Sequence, residues 1–143
     1  MIEFINKPKI LNRKILTKWL LDNATQFNVT VERLSYFFVT KKRIHELNKS
    51  FLNHDFPTDI LTFPYKSGES IVAEVFISKD HAEENALNYS QTLENELIRL
   101  ISHGFLHMTG FSDKTANEKK EMTKKEDEMI KMFHVEQKLQ NDV

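Results

Sequence analysis

The stretch HGFLHMTGFSD, His103 to Asp113, places two histidines four residues apart. On a helix, positions i and i+4 lie one above the other on the same face, so two imidazoles there can chelate one cation with little strain. Gly110 follows, a residue able to end a helix in the left-handed conformation. The reversal it permits turns Asp113 back toward the histidines. A histidine pair alone discriminates weakly. The full spacing of histidine pair, glycine and aspartate specifies three donors and the backbone device that joins them. The plain alternatives are histidines satisfied within the core, Gly110 as an ordinary helix stop, and Asp113 as a cap of the next helix or a partner of Lys114.

Three protein donors leave a coordination position open, which marks a catalytic rather than a structural zinc site. A cation there lowers the pKa of a bound water to roughly 7. Gly104 stands where a zinc peptidase of the H-E-x-x-H type carries its general base, which weighs against peptide hydrolysis. The chain has no cysteine, so any metal must sit on His, Asp or Glu. Zinc, one per chain, is the expected ion; two histidines and a carboxylate also suit iron(II) or nickel.

The elements that must position these donors can be read from periodicity. Leu93, Leu97, Leu100, Ile101, Gly104 and Met108 fall on one helical face, and the two histidines flank it. Thr92 is the expected N-cap, with Glu94 and Glu96 in the first turn. The sequence TANE, Thr115 to Glu118, predicts a capping box that opens a last helix carrying Met122, Met129, Ile130 and Phe133. Earlier, Ile2 to Ile5 reads as a short strand, and Ile10, Leu11, Ile15, Trp19, Leu20 and Ala24 recur at helical spacing. Val29 to Thr40 reads as a strand, Lys41 to Phe51 as a helix, and DILTFPY and SIVAEVFIS as a hairpin turned at Gly68. The expected fold is α/β: a small mixed sheet of about four strands with helices packed on it and the donor helix in the C-terminal half.

At 143 residues, 40% hydrophobic and 29% charged, one domain over 1–143 is expected, with no membrane span and a cytoplasmic location. The net charge of −1 argues against a uniformly basic nucleic-acid binder. Local basic clusters exist near the start and at Lys41, Lys42 and Arg43. Those three are candidate nucleic-acid contacts, or simply a solvated helix face.

HGFLHMTGF resembles the H-G-x-L-H-L-x-G-Y signature of the YbeY family, bacterial endoribonucleases and rRNA maturation factors. LNKSFLNHDFPTDILTFPY is similar to that family's L-N-x-x-Y-R-x-x-D-x-P-T-D-V-L-S-F-P. AEVFIS is similar to its G-D-I-x-I-S, with Ala73 and Glu74 in place of Gly and Asp. The resemblance implies a metal-dependent, single-strand-specific endoribonuclease. Its implied role is 16S rRNA 3′-end maturation and ribosome quality control, with rRNA and the small ribosomal subunit as partners. It implies His103, His107 and Asp113 as metal ligands, although the family's third ligand is a histidine preceded by Asp, and here those places are Ser112 and Asp113. A carboxylate still ligates zinc, and it makes the site more anionic and its bound water less acidic. The family's phosphate-binding Arg falls at Leu52. Lys49, Asn53 and His54 are the nearby stand-ins, or else plain loop residues. Thr58 and Asp59 match the family's T-D pair, either lining the cleft or forming a turn. The general base is unassigned, with Asp59 and His54 as candidates. The alternative reading is a ribosome-assembly binding factor with a structural metal and weak or no nuclease activity. A metal hydrolase acting on another small substrate is the third.

Overall fold

The computed structural model describes residues 1–141. Four strands make one mixed sheet in the order β1-β2-β4-β3. They are β1 (Ile2–Ile5), β2 (Thr30–Val39), β3 (Ile60–Lys66) and β4 (Ser70–Ser78). The first, second and fourth run parallel, and β3 is antiparallel to β4. The β3–β4 hairpin turns at Gly68, whose φ of +90° would strain a side-chain-bearing residue.

The helices are α1 (Arg13–Gln26), α2 (Lys41–Leu52), α3 (Lys79–Asn88), α4 (Leu93–Met108) and α5 (Ala116–Asn141). Alternation along the strands decides where they pack. Leu34, Tyr36 and Phe38 of β2 and Ile71, Ala73, Val75 and Ile77 of β4 all face one core. Onto that face pack Leu16, Trp19 and Leu20 of α1, Leu97, Ile101 and Phe105 of α4, and Met122, Met129 and Phe133 of α5. The buried polar tips in this core are satisfied: Trp19 Nε1 donates to Met129 O at 2.8 Å, and the Tyr36 hydroxyl donates to Ile101 O at 3.1 Å. The opposite face is covered at one end by α2, through Ile44 and Leu47 against Leu61.

One boundary differs from expectation. Helical spacing was readable from Ile10, but α1 begins at Arg13, because Asn12 caps it by accepting from Ile15 N at 3.0 Å. Ile10 lies outside the helix and is 52% exposed. Among the described residues, no helix is long and apolar enough to cross a membrane.

Two features seat the donor helix. Thr92 caps α4 by accepting from Asn95 N at 3.1 Å. Gly104 then lets α4 lie close to the sheet: a Cβ there would stand 3.1 Å from Val75 Cγ1 and 3.3 Å from Ile60 Cδ1. The capping box at the start of α5 forms in both directions, Thr115 N–H to Glu118 Oε1 at 2.9 Å and Glu118 N–H to Thr115 Oγ1 at 3.1 Å.

Candidate metal centre

The fourth helix and the turn after it bring three donors together. His103 Nε2 and His107 Nε2 are 3.0 Å apart. Asp113 Oδ2 lies 3.4 Å from the first and 3.6 Å from the second. Tetrahedral zinc with ligand bonds of about 2.0–2.1 Å sets its donors about 3.3 Å apart, so the three observed spacings bracket a bound ion. Gly110 makes the reversal, with φ +107°, and Phe111 N–H ties back to Leu106 O at 3.0 Å. The carboxylate of Asp113 thus turns toward the histidines rather than capping α5, whose capping residue is Thr115.

The other ring nitrogens decide which way the lone pairs point. His103 Nδ1 meets Glu126 Oε2 at 2.7 Å, and His107 Nδ1 meets the carbonyl of Phe111 at 3.1 Å. Both partners are acceptors, so both Nδ1 atoms carry the hydrogen and both Nε2 lone pairs face the space between them. A cation satisfies that arrangement, and the donor set fits one. Glu126 is itself held: its Oε1 accepts from Arg99 Nη1 at 2.8 Å, and Arg99 Nη2 donates to Asp127 Oδ1 at 2.7 Å. Burial works against a charged His103, yet the Glu126 hydrogen bond and charge, with Asp113 and Asp59, outweigh it and raise its pKa.

His103 opens onto a cavity of about 500 Å³, lined also by Asp59, Asn85, Tyr89, Glu96, Arg99 and Glu126. Asn85 Nδ2 bridges Asp59 Oδ2 and Glu96 Oε1, each at 3.3 Å. Burial, the first cause, pushes the Glu96 carboxyl upward, with Asp59 and Glu126 adding to it and the Asn85 hydrogen bond opposing. Gly104 faces the sheet and not this space, so no side chain at that position supplies a base.

The remaining candidates are placed as follows. Asp59 lines the cavity. Thr58 Oγ1 donates to Ile60 O at 3.4 Å, which serves the turn into β3. His54 does not line the cavity; it is exposed, with its ring stacked on Phe56. Lys49 and Asn53 are exposed at the end of α2, and Leu52 is 41% exposed there. Lys41 Nζ pairs with Glu84 at 3.1 Å and Arg43 with Glu46 at 3.4 Å, while Lys42 is exposed. Glu74 points to the α2 face and accepts the Tyr65 hydroxyl at 2.6 Å.

Sequence reasoning missed Glu126, Arg99, Asn85 and Glu96. A signal existed for the first. Glu126 lies on the buried stripe Met122, Met129, Phe133 of α5, and a carboxylate on an apolar stripe needs a partner.

The family model described as Endoribonuclease YbeY matches residues 4–134. A Flavobacterium johnsoniae protein named Endoribonuclease YbeY is 37% identical over 126 residues, 88% of this chain and 91% of that one. A Christiangramia forsetii protein of the same name is 35% identical over 135 residues, 94% of each. A solution structure of a Thermotoga maritima protein superposes with a TM-score of 0.69 at 29% identity, covering 98% of this chain and 93% of that one. A match across nearly the whole chain, on a fold that carries the donor helix and its turn, places the chain in the YbeY family.

Proposed function

We propose that this chain is a metal-dependent endoribonuclease that cleaves single-stranded RNA, with zinc as its cofactor. We further propose that it works in the cytoplasm on the 3′ end of small-subunit rRNA, with the small ribosomal subunit as its partner. The observation that carries the reading is the convergence of His103, His107 and Asp113, with both Nδ1 atoms turned outward, beside a cavity able to take a nucleotide. The names of its relatives, Endoribonuclease YbeY, support the substrate class. A bound cation supplies Lewis-acid activation of water and of a phosphoryl oxygen. The chain's own residues do the rest. Glu126 and the Phe111 carbonyl orient the imidazoles. Asp59, which lines the cavity with His103, is the residue we assign to accept a proton. A defined single-stranded RNA is incubated with the purified protein, with and without chelator and with metal restored. Cleavage that chelator abolishes and zinc restores is expected. Cleavage indifferent to chelator, or none by folded and metallated protein, refutes the reading.

One observation favours the second reading, an assembly factor with a structural metal. Arg99, the guanidinium that lines the cavity, is paired with Glu126 and Asp127, and Leu52 supplies no cation. That reading expects co-sedimentation with small subunits which survives mutation of the ligands as long as folding does.

A further inference from the structure

The loop between α2 and β3 carries a feature the metal centre does not use. The rings of His54 and Phe56 lie nearly parallel, with centroids 5.3 Å apart and planes 11° apart. Phe56 is 53% exposed. An aromatic ring held out of the core offers its face to solvent.

The backbone beneath this pair is tied down. Asn53 ends α2 in the left-handed region at φ 59°. His54 N–H donates to Asn48 O at 3.1 Å, and Asn48 Nδ2 donates to Phe56 O at 2.9 Å. His45 Nε2 meets Asp55 Oδ1 at 2.8 Å. These contacts hold the loop on the end of α2 and leave the two rings free, so little ordering remains to be done when something stacks on them.

Its location ties it to the cleft. Phe56 precedes Asp59 by three residues, so their Cα atoms lie within about 11 Å. On the other side, Lys42, His45 and Lys49 occupy one face of α2 at i, i+3 and i+7. Lys42 and Lys49 are exposed and form no salt bridge among the described residues.

We propose that the His54–Phe56 pair is a base-stacking subsite for single-stranded RNA, which runs from the metal centre over the α2–β3 loop with its phosphates beside Lys42 and Lys49. The inference rests on the reading of the chain as an RNA-cleaving enzyme. Every base has a π-face, so such a plate holds a strand without reading its sequence. The neighbouring cations complement a polyanion. The plate is one ring wide, far below the area a stable protein interface buries.

The test compares the unaltered, metal-loaded chain with Phe56→Ala, Phe56→Leu and Phe56→Trp. Binding of a short fluorescent single-stranded RNA is followed by anisotropy, alongside the same strand with abasic residues and the rate of cleavage. The position is exposed, so thermal unfolding serves as the check that all variants fold. Phe56→Ala and Phe56→Leu are expected to bind about tenfold more weakly, as for loss of one stacked base. Phe56→Trp is expected to bind at least as well as the unaltered chain, and the abasic strand to bind all four proteins alike. KM should rise while kcat holds. Unchanged RNA binding by Phe56→Ala, in a chain that still cleaves RNA, overturns the subsite and leaves the activity standing. Full binding by Phe56→Leu also overturns it, since a leucine does not stack. An unaltered chain that neither binds nor cleaves RNA removes the enzymatic reading and the subsite together.

Discussion

Removing the Glu126 carboxylate should weaken metal binding although Glu126 is not itself a donor. Its side chain is 8% exposed and spans two charge-assisted bonds, 2.7 Å to His103 Nδ1 and 2.8 Å to Arg99. In Glu126→Ala, His103 loses the acceptor that fixes its tautomer and ring angle. Loss of such an outer partner costs about 10- to 100-fold in metal affinity, which is about 1.4–2.7 kcal/mol. Glu126→Gln should not be mild. A glutamine has one acceptor oxygen, and the site presents two donors; whichever is served, the other faces an amide NH2. Asp127→Ala is the control, because Asp127 is 60% exposed and its bond to Arg99 is a surface pair worth about 0–1 kcal/mol. Zinc affinity is read by competition with a chromophoric chelator, and folding by circular dichroism. A folded Glu126→Ala protein with the zinc affinity of the unaltered chain would refute the reasoning.

Asp113→His should retain zinc and Asp113→Ala should lose affinity, with Asp113→Asn worse than His because a neutral amide oxygen is a poor zinc ligand; equal metal content in the Asn and His variants removes Asp113 from the donor set. Gly104→Ala gains about 1 kcal/mol of helix propensity but crowds Val75 and Ile60 at a cost of about 1–3 kcal/mol, so a net loss near 1 kcal/mol is expected in denaturant melts. Zinc added to the chelator-treated protein should raise Tm with concentration, as for any ligand of the native state, and His103→Ala should remove that shift. Burial holds the Tyr36 phenol far above its ordinary 10.0. Above that pH the unfolded state therefore binds fewer protons than the native one, and stability should fall by up to about 1.4 kcal/mol per pH unit. Tyr36→Phe should flatten the fall while losing about 1 kcal/mol for the bond to Ile101 O.

The convergence of His103, His107 and Asp113 was legible because its geometry is local. Two histidines four apart need only a helix, and Asp113 needs only the reversal at Gly110. The caps at Thr92 and Thr115 were legible for the same reason, since each is a contact within three residues. The hairpin of β3 and β4 also follows from neighbouring segments. What the sequence could not place were contacts between distant elements. Glu126 reaches His103 across 23 residues, and Asn85 reaches Asp59 across 26. Nothing local marks those partners, because they depend on how α3 and α5 dock against α4. The choice of sheet face for α2 is likewise a packing outcome: Ile44 and Leu47 bury against Leu61, while the residue before it, Ile60, joins the core under α4.

The charges around the centre bear on how RNA is held. A divalent cation would be neutralised by one carboxylate among its donors, Asp113, and one directly behind a donor, Glu126. A histidine at position 113 would leave a positive remainder, and the aspartate removes it. The same geometry offsets the charge of Arg99, whose two terminal nitrogens each donate to a carboxylate, of Glu126 and Asp127. Asp59 and Glu96 add carboxylates to the wall, although burial biases Glu96 toward its neutral form. The cavity therefore offers a phosphate little beyond the cation itself. A polyanionic strand must draw its remaining affinity from outside the cavity, and the α2–β3 loop, whose Phe56 stands three residues before Asp59, carries exposed rings, with Lys42 and Lys49 exposed on α2. On this chain the separation of roles is physical: the donor helix and the residues behind it set up the reacting centre, and the loop following α2 is where holding the strand can be done without adding charge to it.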